Sequence, residues 1–356
     1  MWLRPPVALG SRLLHDARGG SRPKTGSSRG YYCRALTGES NYNICINCDL
    51  TVSCNCQDFD GSGLIGSLKG QTLAEVFAGP VVRRFLETLG RGELPTSTCS
   101  RCPELAVIPE GSPAEPLAGK VPKLGIMIEN TAHCNLRCHL CDRQLLLGLR
   151  DAKFLSLAHL ERVAPMLASA QIESVYYFNL GEPFLSPTIL DEIKTLRAHL
   201  PHTRIITSTN GTLLAREDAM QAALLMDRVY FSIAGVDQDT LQRYQKRGDF
   251  EAAYKSMREL VRRRAEEGRR IGDVSLPIVE WKYVMFNWND SRRHIEEAIW
   301  LAKEAEVDRL LFAPGYAPTR EMSLRYFSDR LLNLQGELTD EGIAFDFNLV
   351  PDELRA

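Results

Sequence analysis

The stretch HCNLRCHLCDRQ, residues 133–144, contains three of the chain's cysteines, at positions 134, 138 and 141. It directly follows GIMIEN (125–130), an apolar run typical of a buried strand. Three thiolates this close together predict an iron–sulfur cluster, in which each thiolate ligates one iron and a fourth iron stays open to a small molecule. A closed zinc site with His133 or His139 as fourth ligand is one alternative, and three unliganded thiols in a loop are another.

The chain around this stretch has the pattern of an α/β protein. From about residue 124 onwards, short apolar runs alternate with amphipathic runs of period 3.6. The predicted strands are GIMIEN (125–130), SVYYFN (174–179), RIITST (204–209), RVYFSI (228–233), VEWKYVMF (279–286) and RLLFAP (309–314). Alternation over six units predicts a parallel sheet with right-handed crossovers and with its chemistry at the carboxyl ends of the strands. Periodicity alone does not say whether this sheet is open or closes into a barrel.

Composition narrows the class of protein. The chain has 356 residues, a formal net charge of −2 and a pI near 6.4, so no basic field indicates a nucleic-acid or membrane partner. No run approaches the ~20 apolar residues that span a bilayer, and we expect a soluble, cytoplasmic protein. Residues 1–30 are rich in Arg, Gly and Ser, which predicts a disordered tail, with an organellar transit peptide as the alternative. Ten cysteines without a secretory signal favour metal or redox use over disulfides.

The cysteine spacing CxxxCxΦC, with Leu140 at the apolar position, resembles that of the radical S-adenosylmethionine (SAM) enzymes. A second segment, NLGEP (179–183), resembles the GGEP motif of this superfamily. Gly181 and Glu182 match that motif, whereas Leu180 stands where the family has its first glycine. The resemblance implies that Glu182 accepts hydrogen bonds from the SAM ammonium group.

Two further segments follow in the order that this superfamily uses. STNG (208–211), after the third predicted strand, looks like the ribose-contacting segment, which makes Ser208 and Asn210 candidate SAM contacts. After the fourth strand, Ser232 and Arg243 are similar in spacing to the pair that holds the SAM carboxylate. A planar guanidinium suits a carboxylate because it can donate two parallel hydrogen bonds.

The resemblance implies a partial (β/α)6 TIM-like barrel over residues 123–320, followed by a C-terminal extension over 321–356. It also implies the cofactors. The amino and carboxyl groups of SAM chelate the open iron of a 4Fe–4S cluster, and one electron from the cluster cleaves the sulfonium. The resulting 5′-deoxyadenosyl radical abstracts hydrogen from an unactivated C–H bond. An electron donor such as flavodoxin or ferredoxin is the implied partner.

The segment 31–104 is rich in cysteine and resembles a SPASM-type auxiliary-cluster domain, although such domains usually follow the barrel. Asp49 also stands where that pattern usually has glycine. The resemblance implies a small α+β iron–sulfur domain, joined to the barrel by a linker over 105–122, in which four cysteines hold an auxiliary 4Fe–4S cluster: Cys33, Cys54, Cys99 and Cys102. Cys56 is an alternative to Cys54, because the two point to the same side of a strand. A zinc ribbon is the competing interpretation.

Three cysteines remain: Cys45, Cys48 and Cys56. They could contribute to a second auxiliary cluster, pack as ordinary half-buried thiols, or include a catalytic thiol that gives a hydrogen atom to a substrate radical.

We expect a tailoring enzyme that epimerises a carbinol carbon of a sugar-like or other hydroxylated small molecule. Dehydrogenation with the auxiliary cluster as electron acceptor, and modification of a ribosomal peptide, are the alternatives. Aromatic residues on the second and fifth strands could form a sugar-stacking surface or belong to the core: Tyr176, Tyr177, Phe178, Trp281, Tyr283, Phe286 and Trp288. Polar residues after the fifth strand could contact a substrate or stay solvated: Asn287, Asn289 and Asp290.

Overall fold

The structure, a computed structural model, describes residues 30–109, 118–315, 317–318, 320–326, 336–339 and 342–347. The tail predicted for residues 1–30 lies outside these ranges apart from Gly30, as does much of the predicted extension over 321–356.

Strands and helices alternate as the sequence predicts. The described strands are β1 (Tyr31–Cys33), β2 (Cys45–Ile46), β3 (Thr51–Ser53), β4 (Leu64–Ser67), β5 (Leu105–Val107), β6 (Ile126–Ile128), β7 (Ser174–Tyr176), β8 (Arg204–Thr209), β9 (Arg228–Ser232), β10 (Arg270–Ile271), β11 (Val274–Ser275), β12 (Ile278–Met285), β13 (Arg309–Pro314), β14 (Glu337–Leu338) and β15 (Ile343–Asp346). The described α-helices are α1 (Leu73–Ala78), α2 (Pro80–Gly90), α3 (Arg143–Leu149), α4 (Leu157–Ser169), α5 (Ile189–His199), α6 (Glu217–Leu224), α7 (Gln238–Tyr244), α8 (Phe250–Glu267) and α9 (Arg292–Glu304).

An 11-stranded sheet organises the described chain, with the order β14-β15-β13-β12-β9-β8-β7-β6-β2-β3-β4. Its centre is a block of six parallel strands, from β6 through β7, β8, β9 and β12 to β13. These are the six strands predicted from the sequence, and helices connect each to the next. The predicted α/β fold is therefore confirmed.

The helices begin and end at residues that satisfy their free backbone groups. Ser156 starts α4 by accepting a hydrogen bond from the His159 amide at 3.2 Å, and Ser291 does the same for α9 with the His294 amide at 3.3 Å. Asp249 caps α8, which ends at Gly268 in the left-handed conformation, φ +67°. These local signals hold the crossover helices in register with the strands.

The two faces of the sheet bury different side chains. Val175, Phe231 and Trp281 belong to the large core that the helices share. On the opposite face a second buried cluster consists of strand residues: Cys45, Met127, Tyr176, Ile206 and Tyr230. We call this second face the inner face, because its side chains bury against one another as in the interior of a partial barrel.

The N-terminal segment continues the same sheet. β2 lies parallel to β6, with Cys45 opposite Met127 and Ile46 opposite Ile128, and β3 and β4 extend the edge in antiparallel fashion. Ile46 and Ile128 also share one core. The predicted linker over 105–122 therefore divides neither the sheet nor the core. Among the described residues, no helix is both long enough and apolar enough to cross a membrane.

Candidate functional site

The three-cysteine loop connects the carboxyl end of β6 to α3 and is held by two backbone hydrogen bonds to the end of α7 and the segment just after it, at residues 244 and 246. The Arg137 amide donates to the Lys246 carbonyl at 3.0 Å, and the His139 amide donates to the Tyr244 carbonyl at 2.7 Å. Leu140 takes the left-handed conformation, φ +69°, which is costly for a residue other than glycine. The loop is therefore held tightly against the end of α7, next to Arg243.

The three thiols lie close enough to affect one another. Burial raises the pKa of Cys134 to about 11 and of Cys138 to about 12, and the neighbouring Cys141 and Cys134 add to the rise at Cys138. Cysteine ligates metals as the thiolate, so these thiols need a bound positive group to ionise near neutral pH. Within the part of the chain that the structure describes, no three His, Cys, Asp or Glu side chains converge on a single metal ion. An iron–sulfur cluster takes each thiolate on a different iron, which suits this set of three thiols.

Glu182 lies buried beside this loop. Its amide donates to the His133 carbonyl at 2.8 Å, and its carboxylate accepts from the Thr209 hydroxyl at 2.7 Å and from the Phe184 and Asn210 amides at 3.2 and 2.9 Å. Burial raises the pKa of Glu182 to about 7, and these three donors oppose the rise. Each carboxylate oxygen can accept two hydrogen bonds, so the oxygen that takes only the Asn210 amide can accept one more.

Gly181 is required by its surroundings. A Cβ atom at this position would lie 1.9 Å from the Thr131 carbonyl oxygen, far inside van der Waals contact. The adjacent Leu180, where the family motif has glycine, does not prevent Glu182 from reaching the cysteine loop through its backbone.

The Asn210 side chain connects the β8 end to the cysteine loop. Its amide nitrogen donates to the Asn135 side-chain oxygen at 3.0 Å and lies 3.9 Å from the Cys134 sulfur. Thr209 and Asn135 were not singled out from the sequence, although both stand inside the motifs that were quoted. Ser208 directly precedes Thr209 and has no side-chain hydrogen bond among the described residues.

Ser232 and Arg243 are not joined by a described contact. The Gln245 side chain donates to the Ser232 carbonyl and accepts from the Ala234 amide, both at 2.8 Å. Arg243 is exposed near the end of α7. The predicted roles of Ser232, Arg243, Ser208 and Leu140 in binding SAM therefore stay predictions.

Comparison with models of known protein families identifies the superfamily to which this site belongs. Residues 128–268 match the model of the radical SAM superfamily. The chain contains a radical SAM domain. Such a domain implies a 4Fe–4S cluster and SAM, and the superfamily predicted from the cysteine spacing is confirmed.

Individual relatives match only parts of the chain. A PqqA peptide cyclase of Methylorubrum populi is 37% identical over 133 residues, 37% of this chain and 33% of the relative. A GTP 3′,8-cyclase of Chlorobaculum tepidum is 28% identical over 137 residues, 38% of this chain and 40% of the relative. The structure of native anSMEcpe with bound AdoMet has a TM-score of 0.40 at 18% identity, covering 53% of this chain and 50% of that one. The chain thus spans well under half the length of these two curated relatives.

Four cysteines of the N-terminal segment line one pocket beside the radical SAM domain: Cys33, Cys54, Cys99 and Cys102. The Asn55 side-chain nitrogen lies 3.3 Å from the Cys102 sulfur, and the Thr96 hydroxyl lies 3.4 Å from the Cys99 sulfur. A Cβ at Gly63 would come within 3.1 Å of the Cys54 sulfur. Four thiols around one pocket, two of them beside a polar side chain, fit an iron–sulfur cluster.

The arrangement also separates Cys54 from Cys56. Burial raises the pKa of Cys54 well above its usual range, and the neighbouring Cys33 and Cys102 add to the rise. Cys56 is not among the residues that line this pocket, and it packs instead against the inner-face cluster. Of the two alternatives left by the sequence, the geometry favours Cys54 as the fourth pocket thiol.

The remaining cysteines face different ways. The Cys45 thiol belongs to the inner-face cluster, is fully buried, and lies 3.7 Å from the Asn179 side-chain nitrogen. Burial raises its pKa well above the usual range, and the carboxylate of Glu129 adds to the rise. Cys48 belongs to the core shared with the helices and donates to the Ala152 carbonyl at 3.1 Å. Only Cys45 and Cys56 among these three therefore border the inner face.

The aromatic residues predicted to form one surface do not all lie on the same face of the sheet. Tyr176 belongs to the inner-face cluster and the partly buried Phe178 packs against it. Four others are fully buried and most pack in the core: Tyr177, Trp281, Tyr283 and Phe286. Trp281 and Tyr283 thus follow the core interpretation, because the period-2 alternation of β12 turns its odd-numbered side chains toward the helices. Phe286 lies just after β12 and stacks on the half-buried Trp288.

The polar residues after β12 support the chain rather than face a pocket. Asn289 accepts from the Phe286 amide at 2.6 Å and donates to the Ala234 carbonyl at 2.9 Å. Asp290 accepts from the Ser323 hydroxyl at 2.8 Å, and Asn287 donates to the Arg320 carbonyl at 2.5 Å. These bonds secure the loop and the segment 320–323, and a role of the three residues in substrate contact stays a prediction.

Proposed function

We propose that this chain is a radical SAM enzyme that epimerises a carbinol carbon of a sugar-like or other hydroxylated small molecule. The observation that carries the reaction type is Cys45, a protonated thiol that the N-terminal segment places on the inner face of the radical SAM domain. An epimerase needs a hydrogen donor on the face of the substrate opposite to the one that loses hydrogen, and a thiol S–H can serve as that donor.

The initiating site is assigned to the loop after β6. Cys134, Cys138 and Cys141 would hold a 4Fe–4S cluster. When bound, the cluster and SAM together supply a carbon-centred radical that removes a hydrogen atom from an unactivated C–H bond. Glu182 would accept a hydrogen bond from the SAM amino group at its remaining acceptor position. The roles assigned to Ser232 and Arg243 are to hold the SAM carboxylate.

In the proposed step, the Cys45 thiol gives a hydrogen atom to the substrate radical. Its S–H bond breaks and a C–H bond forms on the substrate radical, which leaves the sulfur one electron and one proton short. A one-electron reductant of the flavodoxin or ferredoxin class, acting with a proton from water, restores the thiol. Asn179, which donates to Glu129 at 3.1 Å, keeps a polar group beside Cys45 on the inner face. Cys56, which packs against the same cluster, is the second candidate donor.

The pocket of Cys33, Cys54, Cys99 and Cys102 would hold one auxiliary 4Fe–4S cluster. Cys56 lies between this pocket and the inner face. It packs against the inner-face side chains that include Cys45, and it neighbours Cys102, which together with burial raises the pKa of Cys56 to about 12. This closeness favours a second candidate function, dehydrogenation with the auxiliary cluster as electron acceptor. The PqqA peptide cyclase relative keeps peptide modification as a third. The assigned setting is cytoplasmic, without nucleic acid or membrane.

The deciding experiment is anaerobic turnover of the reconstituted full chain in deuterated water with hydroxylated candidate substrates. A redox-neutral product that carries one deuterium on carbon is expected, because the thiol hydrogen exchanges with solvent. An oxidised product without deuterium on carbon would overturn epimerisation in favour of dehydrogenation. If Cys134→Ala leaves the formation of 5′-deoxyadenosine intact, the assignment of the initiating site is wrong.

A further inference from the structure

Three side chains beside Cys134 form a closed ring of hydrogen bonds. The Asn210 nitrogen donates to the Asn135 side-chain oxygen at 3.0 Å, and the Asn135 nitrogen donates to the Thr212 hydroxyl at 2.8 Å. The Thr212 hydroxyl then donates to the Asn210 side-chain oxygen at 2.6 Å. The ring joins the cysteine loop to the turn after β8, and Asn210 is 8% exposed within it.

The orientation of the Asn210 amide is fixed by a backbone group. The Thr212 amide donates to the Asn210 side-chain oxygen at 3.0 Å, and a backbone N–H can only donate. The other atom of the Asn210 amide is therefore its nitrogen, and this nitrogen lies 3.9 Å from the Cys134 sulfur. The Leu136 amide donates to the same sulfur at 3.3 Å. In the described ranges, Cys138 and Cys141 receive no such side-chain donor.

The Asn210 side chain has no hydrogen-bonding capacity left. Its oxygen accepts from the amide and from the hydroxyl of Thr212, which uses both lone pairs. Its two N–H groups are directed at Asn135 and Cys134. A ribose hydroxyl would compete with these partners for this side chain, and the role in SAM binding expected from the sequence stays a prediction.

We propose that Asn210 is a positioning residue for Cys134, whose N–H group stabilises the thiolate sulfur and so raises the reduction potential of the cluster held by the loop. This inference rests on the proposed function, because it assumes that Cys134, Cys138 and Cys141 hold a cluster. Hydrogen bonds to cluster sulfurs favour the more negative, reduced form, which is the direction claimed here. The ring with Asn135 and Thr212 holds the amide in place.

The test compares Asn210→Leu, which has similar size and no N–H, with the unmodified full chain after cluster reconstitution. Iron content and the visible spectrum establish that the cluster assembles. Redox titration followed by electron paramagnetic resonance is expected to give a more negative midpoint for Asn210→Leu, with SAM affinity within about twofold of the unmodified chain. An unchanged midpoint with SAM affinity weakened about tenfold, the loss of about 1.4 kcal/mol, overturns the proposal in favour of a ribose contact.

Thr212→Val provides a second variant in case Asn210→Leu fails to fold. It removes the hydroxyl but keeps the backbone N–H that orients Asn210, so a smaller shift of the midpoint in the same direction is expected. An unchanged midpoint in Thr212→Val, with an intact spectrum, counts against the ring. Loss of the proposed function is recognised separately: a Cys138→Ala chain that retains the iron and the signal of this cluster refutes the assignment of the loop itself.

Discussion

Cys45 lies directly opposite Met127 across the parallel pair β2 and β6, so a residue of the N-terminal segment contributes to the inner face of the radical SAM domain. Its sulfur is 3.7 Å from the Asn179 side-chain nitrogen, and Asn179 stands in the segment NLGEP beside Glu182. The N-terminal segment, which carries the pocket cysteines, therefore meets the segment NLGEP, which binds SAM in our proposal, at the Cys45 thiol.

Replacing this thiol should separate the two halves of the proposed reaction. Cys45→Ser leaves Glu182 and the cysteine loop untouched, so 5′-deoxyadenosine should still form in the presence of a reductant. Solvent deuterium should no longer appear on the product carbon, because serine O–H is a far poorer hydrogen-atom donor. Mass spectrometry of the product measures this. Cys48→Ser is the matched control, since Cys48 faces the helix-side core and should keep deuterium incorporation.

The binding of SAM should depend on pH through Glu182. Burial raises the pKa of Glu182 to about 7, so below that pH its side chain is largely neutral and accepts a hydrogen bond from the SAM amino group only weakly. SAM affinity should rise as pH increases from 6 to 8, and binding near pH 7 should release a proton. Calorimetry in buffers of different ionisation enthalpy counts that proton. A Glu182→Gln chain should bind SAM more weakly and without this pH dependence, whereas an unmodified chain with flat affinity contradicts the assignment.

The same carboxyl group has an opposite effect on stability when SAM is absent. Because its folded pKa lies above its ordinary value, the folded state keeps a proton that the unfolded state has lost between about pH 4.5 and 7. The contribution of Glu182 to the free energy of unfolding should therefore fall as pH rises through this range. Urea unfolding of the unmodified chain and of Glu182→Gln, compared at pH 5.5 and 7.5, measures the difference.

The parallel block and the cysteine loop could be predicted from the sequence because both are encoded locally. Apolar runs such as RIITST and RLLFAP match β8 and β13 residue for residue, and the spacing of Cys134, Cys138 and Cys141 is readable without any fold. The gathering of Cys33 with Cys102 in one pocket was expected from the resemblance to a SPASM-type domain.

Pairings between distant segments could not be read in this way. β2 has two residues, too short for any periodicity, and its partner β6 is a separate strand far along the chain. The division of Cys45 from Cys48 depends on that pairing. Likewise, the sequence shows Asn289 only as a polar residue in a loop. The folded turn after β12 shows that its side-chain amide hydrogen-bonds to the backbone of Phe286 and of Ala234.

A methyl group at Gly181 should disrupt the contact between the SAM motif and the cysteine loop. The added Cβ would lie 1.9 Å from the Thr131 carbonyl oxygen, so one of the two segments must move. Gly181→Ala should lower the free energy of unfolding by about 1–3 kcal/mol or more and weaken SAM binding. Gly148→Ala is the control, because nothing lies within 4 Å of its Cβ position inside α3 and alanine favours a helix. Equal unfolding midpoints for the two variants would show that the Gly181 contact is not tight.

The pocket cysteines should account for half of the iron that the chain can bind. If Cys33, Cys54, Cys99 and Cys102 hold one 4Fe–4S cluster and the loop after β6 holds another, reconstitution should give about eight iron atoms per chain. Cys102→Ala and Cys54→Ala should each lower the iron content below eight, because the auxiliary cluster then loses one of its four protein ligands and is held less firmly. Cys56→Ala should keep all eight, since Cys56 lies outside the pocket lining and against the inner face. Iron and sulfide analysis of the three variants, with circular dichroism to establish folding, measures the ligand set. Loss of iron in Cys56→Ala with retention in Cys54→Ala would reverse the choice between these two thiols and move the auxiliary cluster toward Cys45.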